Sequence, residues 1–295
     1  MLRALSLLLL LAVPAAAAEP PHYRHPIVFC RGHGDVKSKI WIMEEDGSGM
    51  RQLTSGANYD DHPSLYSDLH HVLYSEFRDN DFKPEKGARL IRLDIYTGER
   101  QVLAEVPGCA LHHASLSPIQ DLLAYHRDCG KRLAQWVGWE PGYEVNTVAS
   151  NGVALPDGII FMHEKNRGMP GARGVSIARM IGHGIGAKMI FLTDDQHLNR
   201  RPAVSPDGKQ FAWQTDVAGK EDEIFLANID GTNPRNLTNA PGNDGHPWFS
   251  RDGKTLVFES DRTGTMEIWK LDLRTLHPTQ LTFGGKEYES DRPRM

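Results

Sequence analysis

Five basic or ionisable residues recur at one position of a pattern that runs along the chain: His62, His113, Arg201, His246 and Arg292. Asp61 and Asp291 directly precede two of them, and Asp244 lies two residues before His246. Neutral imidazoles can ligate a metal or take a proton, guanidinium groups hold a carboxylate or sulfate through paired hydrogen bonds, and carboxylates orient both. Two arginines in the set repel a cation. That favours an anionic, peptide or protein ligand over a divalent metal ion, which is kept as the alternative occupant. The plainest reading is that these groups cap strands and hold water in a polar channel. No catalytic residue, metal ligand or cofactor follows from them alone. Gly-x-Ser-x-Gly, His-Glu-x-x-His and Cys-x-x-Cys patterns do not occur, and Gly182 to Gly186 does not open a helix as a phosphate loop would.

The elements that must carry these residues come from a repeat. DHPSLYSDLHHVLYS from Asp61, RPAVSPDGKQFAWQ from Arg201 and GHPWFSRDGKTLVFE from Gly245 share a proline (Pro63, Pro202, Pro247), an aspartate five residues on and an aromatic eleven on (Tyr74, Trp213, Phe258). HHASLSPIQDLLAYH from His112 is a weaker copy, LPDGIIF from Leu155 is two residues shorter, and Arg292-Pro293 begins a sixth. From Pro63 to Pro293 the anchors average 46 residues apart. Leu53, Leu192 and Leu237, each followed by Thr, lie ten residues before an anchor and keep the same phase.

Within one repeat, short apolar runs alternate with turn residues four times, which predicts four strands. Sheets repeated at this spacing stack around an axis, because one such sheet alone leaves its faces wet. The expected fold is therefore all-β, a six-bladed β-propeller of four-stranded blades. The first blade has strands from Ile27, Lys39 and Arg51 but no innermost strand ahead of them. Arg292 to Met295 must supply it, so the chain termini close the ring. The strand A starts and the B to C loops from Arg31, Phe77 and Glu164 share one face of the disc, the expected surface for a protein or peptide partner. The turns at Asp207-Gly208 and Asp252-Gly253 lie on the other and are read as turn residues only. Trp136, Trp139 and Tyr143, in the irregular third blade, are read as core filling.

Composition narrows the rest. The 295 residues are 40% hydrophobic and 24% charged with a formal charge of -5, which supports a sizeable core and gives a nucleic acid no basic surface. Met1 to Ala18 carries Arg3, an apolar run from Ala4 to Val13 and Ala16-Ala17-Ala18, the pattern of a cleaved export signal and too short to span a bilayer. Residues 19–295 would then form the propeller, periplasmic or secreted, without a membrane span. In such a compartment the three cysteines allow three pairings. Cys109 and Cys129 lie ten residues either side of a turn centred on Ile119, and residues equidistant from a turn face each other across an antiparallel pair. That register favours a Cys109–Cys129 disulfide over either bond to Cys30.

Pro-x-aromatic-Ser-Pro-Asp-Gly-Lys, then apolar-x-Phe-x-Ser-Asp-Arg, Glu-Ile-Trp and Leu-Thr, resembles the TolB-type propeller repeat. The match is best at Arg201 to Thr238 and His246 to Thr282 and poor between Gly130 and Ala187. The resemblance implies a periplasmic binding scaffold. TolB proper carries an α/β domain before the propeller that this chain is expected to lack, so a place in the Tol system is not implied. Metal-dependent oligogalacturonate lyases have a similar repeat. They imply the alternative function, a lyase or hydrolase acting on an acidic oligosaccharide, with His62, His113 and His246 sharing the roles of base and cation ligand. An exported, non-catalytic binding propeller is the first expectation.

Overall fold

The repeated turn chemistry folds into 24 strands with no helix among the described residues. The computed structural model describes residues 22–33, 36–78, 86–130, 133–138, 142–145, 149–164, 174–219 and 221–295. The expected export signal, Trp139 and parts of the three long B to C loops lie outside them.

Strands pair antiparallel with their sequence neighbours in fours. β1 (Pro26–His33), β2 (Val36–Glu44) and β3 (Arg51–Gln52) form one sheet with the last strand of the chain, β24 (Glu289–Arg294). β4 (Tyr59–Leu65), β5 (His71–Phe77), β6 (Ala88–Asp94) and β7 (Arg100–Ala104) come next. A single parallel bridge, Ala88 to Ala110, joins them to β8 (Ala110–Leu116), β9 (Leu123–Asp128), β10 (Leu133–Val137) and β11 (Tyr143–Val145), so these eight strands count as one sheet. Three four-stranded sheets follow: β12 (Ala149–Leu155) to β15 (Lys188–Phe191), β16 (Arg200–Val204) to β19 (Arg235–Asn236), and β20 (Asp244–Phe249) to β23 (Pro278–Gln280). In the first sheet β24 occupies the place that β4, β8, β12, β16 and β20 hold in theirs, with Val28 opposite Arg294 and Cys30 opposite Asp291.

The motifs have local causes. In each Leu-Thr pair the leucine N–H donates to a carbonyl of the third strand, and the threonine hydroxyl accepts an N–H from that strand. Leu53 and Thr54 meet Ile40, and Leu192 and Thr193 meet Ile177. Leu237 and Thr238 meet Ile224, and Leu281 and Thr282 meet Ile268, all at 2.8–3.0 Å. The pair fixes where the outer strand leaves its neighbour. In the Ser-x-Asp-Gly turns, Ser205 Oγ donates to Asp207 and Ser250 Oγ to Asp252, at 2.6 and 2.7 Å, with Gly208 and Gly253 at φ near 70° where a side chain would be strained.

Apolar side chains fill both faces of the sheets. Phe29, Phe211, Phe249, Phe258 and Met295 belong to one buried cluster, whereas Val28, Ile42, Tyr74 and Ile91 belong to another. Val28 and Phe29 therefore point to opposite faces of one sheet and both are buried, as expected where sheets stack face to face. Trp136 and Tyr143 pack beside such clusters.

Candidate functional site

The expected ring residues do not lie at strand starts. Each sits inside the innermost strand of its sheet, at a register shift: His62 in β4, His113 in β8, Arg201 in β16, His246 in β20 and Arg292 in β24. Their φ angles lie between 45° and 53°, a left-handed conformation that costs a side-chain-bearing residue of order 1–3 kcal/mol. A β-bulge re-aims one side chain without disturbing the strand beyond it. Asn151 in β12 shares the bulge and the angle, φ 47°. It is the sixth member, and the sequence reading missed it because Gly152 stands where four of the other five copies have proline and because this copy is two residues shorter. Counting back from Phe161, with the two-residue shortening allowed for, would have found it.

His62, His113, Asn151, Arg201 and His246 line one narrow cavity with Ser115, Val153 and Arg294. Its volume is about 20 Å³ and it is only partly enclosed, so a bound group can extend out of it. Arg292 is beside the cavity and not in its lining, a place taken by Arg294, whose guanidinium stacks 4.3 Å above Trp248. Asp244 is not part of the site: fully buried, it is held 2.6 Å from Arg262. Asp61 touches the site through its neighbours, with His62 Nδ1 at 2.8 Å, Arg292 at 3.4 Å and the Cys30 thiol donating at 3.4 Å.

Two carboxylate–imidazole pairs organise the cavity. His246 Nδ1 lies 2.6 Å from Glu259 Oε1. The other oxygen of Glu259 accepts the backbone N–H of Arg292 at 2.8 Å. In the second pair the Asp61 contact to His62 is off the line of a good hydrogen bond, and the same carboxylate takes the His62 backbone N–H at 2.9 Å. Burial drives His246 down to about 4, overcoming the pull of Glu259, with Arg201 adding repulsion. Burial drives His62 to about 3 against the pull of Asp61. His113 is pushed well below its ordinary value by burial and by His62 and His126. All three imidazoles are neutral at pH 7. Burial would raise Glu259, but His246 and the Arg292 N–H outweigh it and hold the carboxyl at about 2. Burial, against the pull of Arg292, raises Asp291 to about 7.

Arg201 is lowered to about 10 by burial and by Arg292. Its guanidinium hydrogen-bonds the Asn151 side-chain oxygen and, among the described residues, has no carboxylate in salt-bridge range. Among the described residues Arg294 donates only to the carbonyl of Pro293, at 2.9 Å.

His112, His113 and His126 offer the one grouping of three metal-capable side chains among the described residues, with ligand atoms within 4.8 Å of one another. The bulge at His113 lets two successive residues approach His126, the cross-strand partner of His112. Three imidazoles without a carboxylate suit zinc, copper or nickel better than magnesium or calcium. One nitrogen of each ring is engaged, however: His112 and His113 meet Nδ1 to Nδ1 at 2.6 Å, and His126 Nε2 accepts the Asn151 N–H at 2.7 Å. A cation bound through these nitrogens would have to displace those contacts.

His126 and Glu259 were missed by the sequence reading. Each directly follows the strand aromatic, Tyr125 or Phe258, and each accepts the backbone N–H of the bulged residue in the next innermost strand. That position carried a usable signal. The two remaining expected residues, Cys109 and Cys129, form a disulfide away from the cavity, with Cα atoms 4.2 Å apart, and Cys30 is free and buried.

Stacked antiparallel sheets with bulged innermost strands around a polar cavity define a β-propeller. Residues 186–294 match the TolB beta propeller domain family. The structure is similar to TolB from Acinetobacter baumannii, with a TM-score of 0.74 at 18% identity over 92% of this chain and 66% of that one. It is also similar to a putative TolB from Agrobacterium tumefaciens, with a TM-score of 0.65 at 14% identity over 88% and 89%. An uncharacterized protein of Agrobacterium fabrum is 36% identical over 67 residues, 23% of this chain and 22% of that relative. Solved peptidase chains share the fold as well. At these identities the structural likeness shows the fold alone.

Proposed function

We propose that this chain is an exported, non-catalytic propeller of six blades, closed by its termini, which binds an anionic group of a protein, peptide or small ligand at the mouth lined by the bulged residues. Six blades are supported by the six innermost strands with one bulge each, and closure by the pairing of β24 with β1. Residues 1–18 serve as the cleaved signal and 19–295 as the propeller, which puts the protein in the periplasm or outside the cell.

The observation that carries the binding reading is that Arg201 and Arg294 line the cavity without a carboxylate partner among the described residues, beside imidazoles held neutral. Guanidinium groups left so arranged favour an incoming carboxylate or sulfate and repel a metal ion. The small volume admits only a head group, so a larger partner stays at the face and inserts one end. NMR titration of the purified protein with acetate and sulfate tests this. Both should bind at the ring, and Arg201→Met, which keeps the stem and removes the charge, should weaken them at least tenfold. No binding by the wild type, or equal binding by the variant, overturns the reading.

A further inference from the structure

The cavity is not lined by donors alone. His246 and His62 are each more than nine-tenths buried, at 7% and 4% exposure, and both line it. Because Nδ1 of His246 faces a Glu259 oxygen at 2.6 Å, that nitrogen carries the ring proton, and Nε2 keeps its lone pair. This Nε2 is buried and, among the described residues, has no hydrogen-bond partner. His62 repeats the arrangement less strictly across Asp61, and its Nε2 too is buried without a partner. The hydroxyl of Ser115, 5% exposed, is a third unpartnered group in the lining, and Arg294 Nε a fourth. A buried acceptor left unmade costs as much as a buried donor left unmade, so a simple carboxylate, which only accepts, would satisfy the arginines and leave the imidazoles unsatisfied.

Resting on the anion-binding reading above, we infer that the ligand of this cavity is a carboxylate bearing an N–H or O–H donor on its α carbon, the carboxylate meeting Arg201 and Arg294 and the donor meeting His246 Nε2. An α-hydroxy acid has this chemistry, and so has the last residue of a peptide, whose own amide N–H is one atom from the carbon that carries the carboxylate. The fixed tautomer of His246 makes it a specificity-determining acceptor: Glu259 prevents the ring from turning its donor nitrogen inward. The donor also adds size to the ligand, so the hydrogen bond is isolated by removing the acceptor, His246.

The test compares acetate, glycolate and N-acetylglycine on the full mature chain by NMR titration. Glycolate and N-acetylglycine differ from acetate by the donor, and from each other by whether that donor belongs to a hydroxy acid or a peptide-like amide. At least one should bind ten or more times more tightly than acetate, and His246→Ala should bring that ratio close to one. Should His246→Ala fail to fold, judged by its near-ultraviolet dichroism, Ser115→Ala replaces it, with a ratio reduced at least threefold expected. Equal affinities for all three ligands on the wild type overturn the inference and leave anion binding standing. An unchanged ratio in a folded His246→Ala overturns the role of His246. No binding of any of the three overturns both readings together.

Discussion

Glu259 reaches His246 across one sheet and Arg292 from the next, with Oε1 2.6 Å from the imidazole and Oε2 2.8 Å from the backbone N–H. One carboxylate thus sets the tautomer of a cavity residue and anchors the bulge of β24. Glutamine in its place has one acceptor oxygen for two donors, so Glu259→Gln must abandon one contact. Losing a hydrogen bond to a charged group costs about 1.5–3 kcal/mol. For a chain of this length that corresponds to roughly 3–10 °C in melting temperature. A thermal melt of the variant showing no decrease would contradict the shared-anchor role.

Acid should destabilise the protein well before its surface carboxylates titrate. His246 and His62, lowered by burial to about 4 and about 3, refuse a proton that the unfolded chain accepts near 6.5. Between pH 6.5 and 4 each therefore removes about 1.4 kcal/mol of stability per pH unit as pH falls. Asp291, raised to about 7 chiefly by burial, works in the opposite direction over the same interval and offsets about one histidine. Glu259, held at about 2, extends the loss from its unfolded value of 4.5 downward. The melting temperature should fall steadily from pH 6.5 to 4, and His246→Gln should flatten the slope. A flat profile in the wild type, or the same slope in the variant, would show that these imidazoles are not buried neutral.

The repeat made much of the fold legible, because turn residues and apolar spacing recur with the same local causes. The Leu-Thr pairs are an example: each fixes an N–H and a hydroxyl to one residue of the third strand. The cavity was less legible. Sequence spacing located His62, His113, Arg201 and His246, but strand parity cannot express a bulge, which is why they were expected at strand starts. A bulge adds one residue to one strand and leaves no mark in hydrophobic periodicity. Asp244 illustrates a second limit. Its closeness to His246 in sequence suggested a shared site, yet two positions before the bulged residue its side chain meets Arg262 instead. Arg294, two residues past its expected equivalent, entered the lining instead.

Removing β24 should cost far more than a frayed end does. Its loss would strip the β1 edge of its partner, take Met295, which is 6% exposed, out of its buried apolar cluster, and remove Arg292 from Asp61 and Glu259. Asp61 would then be a buried carboxylate without its arginine, a loss of several kcal/mol in itself. Deleting 291–295 should lower the melting temperature by about 10 °C or more. A truncated chain melting within 2 °C of the full one would mean that the terminal strand adds nothing to the fold.

The disulfide makes a prediction that separates the three cysteines. Ala110 opposite Asp128 and Leu111 opposite Arg127 set the register of β8 and β9, which brings Cys109 and Cys129 face to face one step beyond. The bulge at His113 lies on the turn side of these pairs and shifts the register by one residue, from Ser115 opposite Ala124 to His112 opposite His126, and that shift is what brings Cys109 opposite Cys129. Closing a loop with a sequence separation of 20 stabilises by about 3 kcal/mol in the chain-entropy account. Replacing both cysteines by serine should lower the melting temperature by roughly 6–12 °C. Cys30 behaves differently. It is 1% exposed, donates to Asp61, and is pushed well above its ordinary range by burial and by the Asp61 charge, so it is a poor nucleophile in the folded chain. Iodoacetamide on the oxidised native protein should label no cysteine, and after denaturation without reductant should label Cys30 alone. Non-reducing peptide maps should join the peptides containing Cys109 and Cys129. Two or three labelled thiols after denaturation, or a bond that includes Cys30, would overturn both the pairing and the register from which it follows.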